Sequence, residues 1–289
     1  GYRGGVTLVT KLSGYRIREI LAKLTIYAIL TAGLLVSLFP FYFMFVSATN
    51  PSGAVTSLPP KLTLGSHLME NYTSLNRDIN VWRVMFNSLI IAVSYTVLTI
   101  VLCSMAGYGF AKYEFRGKNI MFAFVLGTLM VPMQVLLVPL FNIMVSFGWV
   151  NTYQAVIVPP LANVFGVFLM RQNFLGFPSS LIEAARIDGY GEFSIFFRIA
   201  MPIVKPALGA LTIYMFMYQW NNFLWPLIAL RTRDMYTFPL ALSILKDMHV
   251  VDYGEMMFGT TIATVPIMVV FLLFQKRFVS GLLGGAIKS

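Results

Sequence analysis

The sequence predicts an all-α polytopic membrane protein with six transmembrane helices. Of the 289 residues, 58% are hydrophobic and only 11% are charged, whereas about 25% of the residues in a soluble domain are charged. The apolar residues also form long charge-free runs, and about 20 such residues in a helix span a bilayer. Both observations indicate one domain, residues 1–289, that folds largely within lipid.

The charge-free runs divide into six predicted spans. The runs at 24–48 and 84–111 each have the length of one helix, whereas the run at 119–170 is long enough for two. We expect that run to break at Pro139 and again in the stretch 147–152, where Gly148, Asn151 and Thr152 interrupt the apolar sequence. The predicted spans are therefore 24–48, 84–111, 119–138, 152–170, 206–230 and 256–275.

The basic residues predict which segments share one side of the membrane. If both termini lie on the same side, that side carries fifteen of the 21 Lys and Arg residues. Cytoplasmic loops are enriched in Lys and Arg, so we expect both termini in the cytoplasm, together with the loops 112–118 and 171–205. Because the basic residues are scattered over several loops, the net charge of +10 is topogenic and does not indicate nucleic-acid binding.

The two long outer loops, 49–83 and 231–255, have enough residues to fold. The second of them carries the acidic residues Asp234, Asp247, Asp252 and Glu255. The sequence leaves open whether these loops are solvated connectors or docking surfaces for a partner protein.

The cytoplasmic loop 171–205 is patterned as two short helices around a glycine. Ser180 and Glu183 have the spacing of a capping box, so we expect a first helix over 181–188. Gly189 is suited to the left-handed conformation that ends helices, and a second helix is expected near 192–200, running to Pro202. A two-turn helix is unstable alone. It must pack against the helix ends of its own chain or against a separate cytoplasmic protein.

The residues of this loop carry a family resemblance. Glu183-Ala184-Ala185 is followed after three residues by Gly189, and after nine more by Ile199 and then Pro202. This spacing resembles the EAA signature of the permease subunits of ABC importers, with Met201 where that family prefers Leu. The chain as a whole is similar to the smaller, six-span permease of the carbohydrate type, and the similarity includes residues 106–118, 231–255 and 281–289.

The resemblance implies the type I ABC importer permease fold and a coupling role for the motif. In that family the motif helix sits in a cleft of the ATPase subunit and transmits its closure to the spans. The implied coupling residues are Glu183, Ala184, Ala185, Asp188, Gly189, Ile199 and Pro202. The implied partners are a second permease subunit in a heterodimer, a dimer of ABC ATPase subunits, a periplasmic or extracellular solute-binding protein, and the lipid of the bacterial inner membrane.

The chain itself lacks the motifs of an enzyme. Its Gly117-Lys118 pair has Lys112 where a phosphate-binding loop needs its first glycine. His67 and His249 do not have the spacing of a metal site, and Cys103 stands alone in an apolar run. We therefore expect no cofactor in this chain, with ATP and Mg²⁺ bound by the partner ATPase.

The predicted spans contain no ionisable side chains at mid-membrane, although ion-coupled carriers usually need them there. Neutral amides and aromatic rings are present instead, and these groups suit a sugar. The candidate residues for the solute path are Gln219, Trp220, Asn221, Asn222 and Trp225. The competing interpretation is that these amides bridge packed helices.

The leading functional hypothesis is a permease subunit of an ATP-driven importer for a sugar, oligosaccharide or polysaccharide. The alternatives are an ABC importer permease for a non-sugar solute and, in a different class, an ion-coupled carrier or channel. An intramembrane enzyme is disfavoured because the chain has no catalytic constellation.

Overall fold

The computed structural model describes residues 5–246 and 251–286, and the side chains of residues 18–245 and 251–276. These residues form helices and no strand. The α-helices are α1 (Gly5–Ala48), α2 (Ser52–Val55), α3 (Leu68–Asp78), α4 (Val81–Lys112), α5 (Lys118–Gly127), α6 (Met133–Ser146), α7 (Tyr153–Ile157), α8 (Val164–Leu175), α9 (Ser179–Ile187), α10 (Glu192–Ile195), α11 (Met201–Ile203), α12 (Lys205–Trp220), α13 (Leu224–Ala229), α14 (Phe238–Lys246) and α15 (Tyr253–Ala286). Short 3₁₀ turns lie at Thr128–Met130, Pro159–Leu161 and Arg233–Met235, and a π-helical turn lies at Phe196–Ala200.

Three helices are long and apolar enough to cross a membrane by themselves. They are α4, the part of α1 at Arg18–Ala48 and the part of α15 at Tyr253–Lys276. The first, second and sixth predicted spans lie inside these three helices. The remaining apolar helices form bent pairs, and up to six spans result if each pair counts as one.

The third predicted span, 119–138, is not a straight helix. The segments Lys118–Met130 and Met133–Ser146 meet at an angle of 100°. The break expected at Pro139 is wrong, because Pro139 lies inside α6 and the bend lies at Val131 and Pro132. A proline disfavours the helical conformation in the residue before it, and Val131 accordingly has extended backbone angles.

The fourth and fifth predicted spans are also broken helices. Tyr153–Leu161 and Val164–Leu175 meet at 45°, with Asn163 capping the second segment through its side-chain oxygen and the Gly166 N–H at 2.9 Å. In the fifth span, α12 ends at Trp220 and α13 begins at Leu224. At about 1.5 Å per residue, the 16 residues of α12 reach only about 24 Å, which is less than the roughly 30 Å of a hydrocarbon core.

The helix α4 lies at the centre of the packing. It contacts α8 and α12, while α12 also contacts α15, which in turn packs against α1. Two glycines allow the close approach of α4 and α8. A Cβ atom on Gly107 would lie 2.7 Å from the Arg171 nitrogen, and one on Gly166 would lie 2.8 Å from the Cys103 sulfur.

The loops separate to the two ends of α4. At its first end, Arg83 and Asn87 donate hydrogen bonds to the carbonyl of Asp234 at 3.0 and 2.8 Å. At its last end, Lys112 donates to the carbonyl of Phe177, and Tyr113 donates to Glu192. Segments that were predicted to share a side of the membrane therefore contact each other.

Candidate functional site

The helix α9 begins two residues earlier than the sequence predicted. It starts at Ser179 with Pro178 in the N-cap position, and no side chain caps it. The expected capping box of Ser180 and Glu183 is therefore wrong. The reason is that Ser180 lies inside the first turn, whereas an N-cap residue must have non-helical backbone angles.

The end of α9 confirms the predicted role of Gly189 as a helix stop. Gly189 has a φ of +83°, its N–H bonds to the Arg186 carbonyl at 3.0 Å, and the Tyr190 N–H bonds to the Ala185 carbonyl at 3.0 Å. These two bonds form a Schellman motif. A Cβ atom on Gly189 would meet nothing within 4 Å, so the backbone conformation alone calls for glycine there.

One face of α9 packs against its own chain. Ile182 and Ala185 are only 3% and 4% exposed, and they belong to the same core cluster as Phe174, Phe177 and Ile195. Of the two alanines of the motif, Ala184 is exposed and Ala185 faces the chain's own core. Its small side chain lets α9 approach the chain's own core.

A polar network joins α9 to α10 and to the end of α4. The Arg186 guanidinium donates to both carboxylate oxygens of Glu192, at 2.6 and 3.2 Å, and the Tyr113 hydroxyl donates to the same carboxylate. The hydrogen bonds from Arg186, followed by the one from Tyr113, hold the pKa of Glu192 below its ordinary value. Burial and the bond to Glu192 raise the pKa of Tyr113 to about 12. At neutral pH the phenol is therefore protonated and able to donate to the carboxylate.

The opposite side of this loop is exposed and partly apolar. Ile187 is 86% exposed and Phe193 is 71% exposed, and Glu183, Ala184, Asp188 and Gly189 are exposed between and beside them. Large apolar side chains in contact with water on an ordered loop are typical of a surface that binds another protein.

The two other motif residues lie away from this surface. Ile199 packs against the main core cluster from within the π-helical turn Phe196–Ala200. Pro202 is half-buried in the first turn of α11, just before the chain bends by 85° at Val204 into α12. Both residues are placed to set the path from the loop into the membrane.

The five predicted solute-path residues separate into two groups. Trp220 and Trp225 are each 2% exposed, and their indole N–H groups donate to the carbonyls of Ala263 and Ala155 at 3.1 and 2.8 Å. Gln219 is also buried and donates to the Val156 carbonyl at 3.4 Å. These contacts between helices are what the competing interpretation predicted.

Asn221 and Asn222 are the accessible members of the set. Asn221 is exposed and Asn222 half-buried at the break between α12 and α13. On α12, the exposed stripe that ends at Asn221 also carries Tyr214 and Tyr218. These two tyrosines were not among the predicted solute-path residues. Tyr214 and Tyr218 are four residues apart, and Tyr218 and Asn221 are three apart, which places all three on one helix face.

The first part of the outer loop, residues 231–238, folds back onto the start of α4. The Phe238 N–H bonds to the Ser88 hydroxyl at 2.6 Å, and the Phe238 ring is completely buried. Of the four acidic residues of this loop, Asp247 lies outside the described residues, Asp234 and Asp252 are exposed, and Glu255 is buried.

Comparisons with known proteins identify the family of this chain. The family model described as the inner membrane component of binding-protein-dependent transport systems matches residues 99–283. The chain belongs to this family. Its permeases are transport components of ABC importers and not ATPases, as the sequence predicted, and the protein is a multi-pass membrane protein.

Several characterised permeases are similar to nearly the whole chain. The arabinooligosaccharides transport permease AraQ of Bacillus subtilis is 40% identical over 88% of this chain and 92% of its own length. The lactose transport permease LacG of Rhizobium radiobacter is 37% identical over 93% of this chain and 97% of its own. The sn-glycerol-3-phosphate transport permease UgpE of Escherichia coli is 31% identical over 90% of this chain and 96% of its own.

A solved structure shares the fold. One chain of a bacterial ABC transporter involved in the import of the acidic polysaccharide alginate aligns with a TM-score of 0.75 at 23% identity, covering 91% of this chain and 97% of that chain. The two chains therefore share one fold over nearly their whole lengths.

Proposed function

We propose that this protein is a permease subunit of an ATP-driven importer that carries a sugar or oligosaccharide across the bacterial inner membrane. The observation that carries the proposal is the ordered loop of α9 with its exposed apolar surface, in a chain that has no ATP-binding motif of its own. The names of AraQ and LacG, which are similar over most of the chain, support a carbohydrate cargo.

In this proposal the exposed side of α9 contacts the ATPase subunit. Glu183, Ala184, Asp188 and Gly189 lie on that side. Ala185, Ile199 and Pro202 act from inside the chain, because they pack α9 and α11 against the helices that would move. A movement of α9 would then be transmitted to the core and would not be absorbed by a flexible connector.

The solute path is proposed to run past the accessible stripe of α12. Asn221 offers an amide, and the rings of Tyr214 and Tyr218 offer apolar faces with hydroxyls, which together suit the faces and hydroxyls of a sugar. Gln219, Trp220, Asn222 and Trp225 support this stripe from behind or beside it. Each hydrogen bond contributes only about 1 kcal/mol net, which suits a path that a solute must also leave.

The proposed assembly contains a second permease, two ATPase copies and a solute-binding protein on the outer side. The apolar side chains of α1 from Ile20 to Phe45 are exposed along much of the helix, and they are available to lipid and to the second permease. Six spans with both termini in the cytoplasm would place α9 on the ATPase side.

The test is uptake into proteoliposomes that contain this chain with its partner permease and ATPase, with the binding protein added outside. We expect ATP-dependent uptake of a carbohydrate. The variant Asn221→Leu removes one amide from the stripe. It should slow uptake several-fold without abolishing the ATP hydrolysis that the binding protein stimulates. Uptake that needs no ATPase would contradict the importer assignment.

A second cargo is favoured by one comparison. The similarity to UgpE, whose name gives sn-glycerol-3-phosphate as its solute, is consistent with a phosphorylated polyol. The same assay separates the two: uptake of the polyol phosphate and of no carbohydrate would reject the sugar assignment and keep the importer assignment. The neutral stripe on α12, which offers no cation to a phosphate, favours the sugar.

A further inference from the structure

Side-chain hydrogen bonds join the helix α4 to the start of the outer loop, residues 234–238, and to the cytoplasmic loop that carries α9. At its outer end lie Asn87 and Ser88, and at its inner end Tyr113. We name the first set, Asn87 and Ser88 with the backbone of residues 234–238, the outer clamp. We name the second set, Tyr113 with Glu192 and Arg186, the inner clamp.

The outer clamp consists of three hydrogen bonds made by two buried side chains of α4. Asn87 has no exposed surface, and its amide donates to the carbonyls of Asp234 and Tyr236 at 2.8 and 3.0 Å. The Ser88 hydroxyl accepts the Phe238 N–H at 2.6 Å. Together with the Arg83 guanidinium, which also donates to the Asp234 carbonyl at 3.0 Å, these bonds hold residues 234–238 in one register on α4.

The inner clamp ties the other end of α4 to both short helices of the cytoplasmic loop. Glu192 begins α10 and Arg186 lies in the last turn of α9, and the Tyr113 hydroxyl bonds to the carboxylate that joins them. A bidentate guanidinium–carboxylate pair fixes direction as well as distance. Movement of the end of α4 therefore moves α9 and α10 together.

The helix between the two clamps is stiff. With 32 residues it is about 48 Å long, and it contains no proline, whereas α1 contains Pro40 and α15 contains Pro266. The three helix pairs that form the remaining spans are bent by 100°, 45° and 85°. Kinks in helices arise at proline, glycine pairs or inserted groups, and α4 runs without a break from one clamp to the other.

We propose that α4 transmits movement between the outer loop and the cytoplasmic loop that carries α9, with Asn87 and Tyr113 as its positioning residues at the two ends. Binding of the solute-binding protein to the outer loop would displace the start of α4, and the inner clamp would pass this displacement to α9. The inference rests on the proposed function, because it needs a binding protein and an ATPase for the two loops to serve.

The experiment compares basal ATP hydrolysis with hydrolysis stimulated by the binding protein in the reconstituted complex. We expect Asn87→Leu and Glu192→Gln each to lower the ratio of stimulated to basal hydrolysis at least several-fold, with the basal rate unchanged. The double variant should be no worse than the worse single variant, because both changes interrupt one connection. Tyr113→Phe should behave like Glu192→Gln, and it keeps the ring should the glutamine variant fail to assemble.

Matched controls separate positioning from general loss of structure. Tyr153→Phe removes the hydroxyl that donates to Asn87 at 2.7 Å but leaves the bonds of Asn87 to the outer loop. Glu114→Gln removes a surface pair with Lys118 beside the inner clamp. Both should keep the wild-type ratio. The charge exchange Arg186→Glu with Glu192→Arg should restore part of the ratio that either single change removes.

Two results would overturn the proposal. One is an unchanged ratio in Asn87→Leu together with Tyr113→Phe, and the other is a double variant whose loss is the product of the two single losses, since independent effects multiply. Absence of stimulation in the wild-type complex would instead reject the proposed function, so the two failures are distinct.

Discussion

Gly189 shows how one residue fixes the shape of the cytoplasmic loop. Its φ of +83° belongs to the left-handed region, which costs about 1–2 kcal/mol for a residue with a Cβ atom and more for a β-branched one. The space around it is open. Within this chain, a side chain added there therefore strains only the backbone.

We expect Gly189→Val to reduce ATP-dependent uptake several-fold while the protein still reaches the membrane. The valine would strain the Schellman motif and rotate Tyr190 and the start of α10. Gly189→Asn is the control, because Asn tolerates the left-handed region far better, and it should retain most of the uptake. Equal uptake by both variants and the wild type would show that the motif does not set coupling.

Substitutions at the buried tryptophans and at the exposed amide of the fifth span should have different effects, the first on stability and the second on uptake. Trp225→Phe removes the N–H that satisfies the Ala155 carbonyl at 2.8 Å, so we expect it to lower the free energy of unfolding by about 1–3 kcal/mol with little change in solute preference. Asn221→Leu should leave the unfolding temperature in detergent almost unchanged and slow uptake. If Trp225→Phe changes which sugars are carried and leaves the unfolding temperature alone, the division is wrong.

At the scale of elements, the contact between α4 and α8 depends on small residues. Gly107 on α4 approaches the backbone of Arg171, and Gly166 on α8 approaches Cys103. In membranes, such close approach supplies the packing that brings helices together. The spacing leaves no room for a methyl group at either position.

We expect Gly107→Ala to destabilise the protein by about 1–3 kcal/mol, because the new Cβ atom would force the two helices apart. The control is Gly109→Ala on the same helix, where an added Cβ atom meets nothing within 4 Å. It should have a neutral or slightly stabilising effect, since alanine favours helix over glycine. Thermal unfolding of the two variants in the same detergent measures the difference, and equal midpoints would contradict the packing argument.

At the scale of the whole molecule, the loops lie at two ends. Hydrogen bonds join 231–238 to the start of α4, and others join 177–192 to its end. This separation has the arrangement expected of a protein that meets a different partner on each side of a membrane. The distribution of Lys and Arg predicts that the end that carries α9 lies in the cytoplasm.

The predicted topology has six spans and both termini in the cytoplasm. Since Cys103 is buried, cysteines introduced at Ser179 and Ser243 in the Cys103→Ser background can report on one side each. A membrane-impermeant thiol reagent added to intact cells, with the outer membrane permeabilised where there is one, should label the cysteine at 243 and not the one at 179. Labelling of both from outside would overturn the topology.

The sequence by itself determined that the chain folds in a membrane, that it is helical, and where the loop with the family motif lies. In lipid, the backbone N–H and C=O groups of a long charge-free run need hydrogen-bond partners, and a helix supplies them within the run. The turn at Gly189 could be predicted because glycine is favoured in the left-handed region. The spacing of Glu183, Ala184, Ala185 and Gly189 also indicated the family that the comparisons confirm.

Tertiary structure decided which side of each helix is buried within the chain and which side is exposed. Composition does not distinguish Trp225, which donates to a neighbouring helix, from Asn221, which stays accessible, because both lie in one apolar run. The two clamps of α4 join residues more than 70 positions apart. Such contacts depend on how the helices pack, and local sequence does not encode that packing.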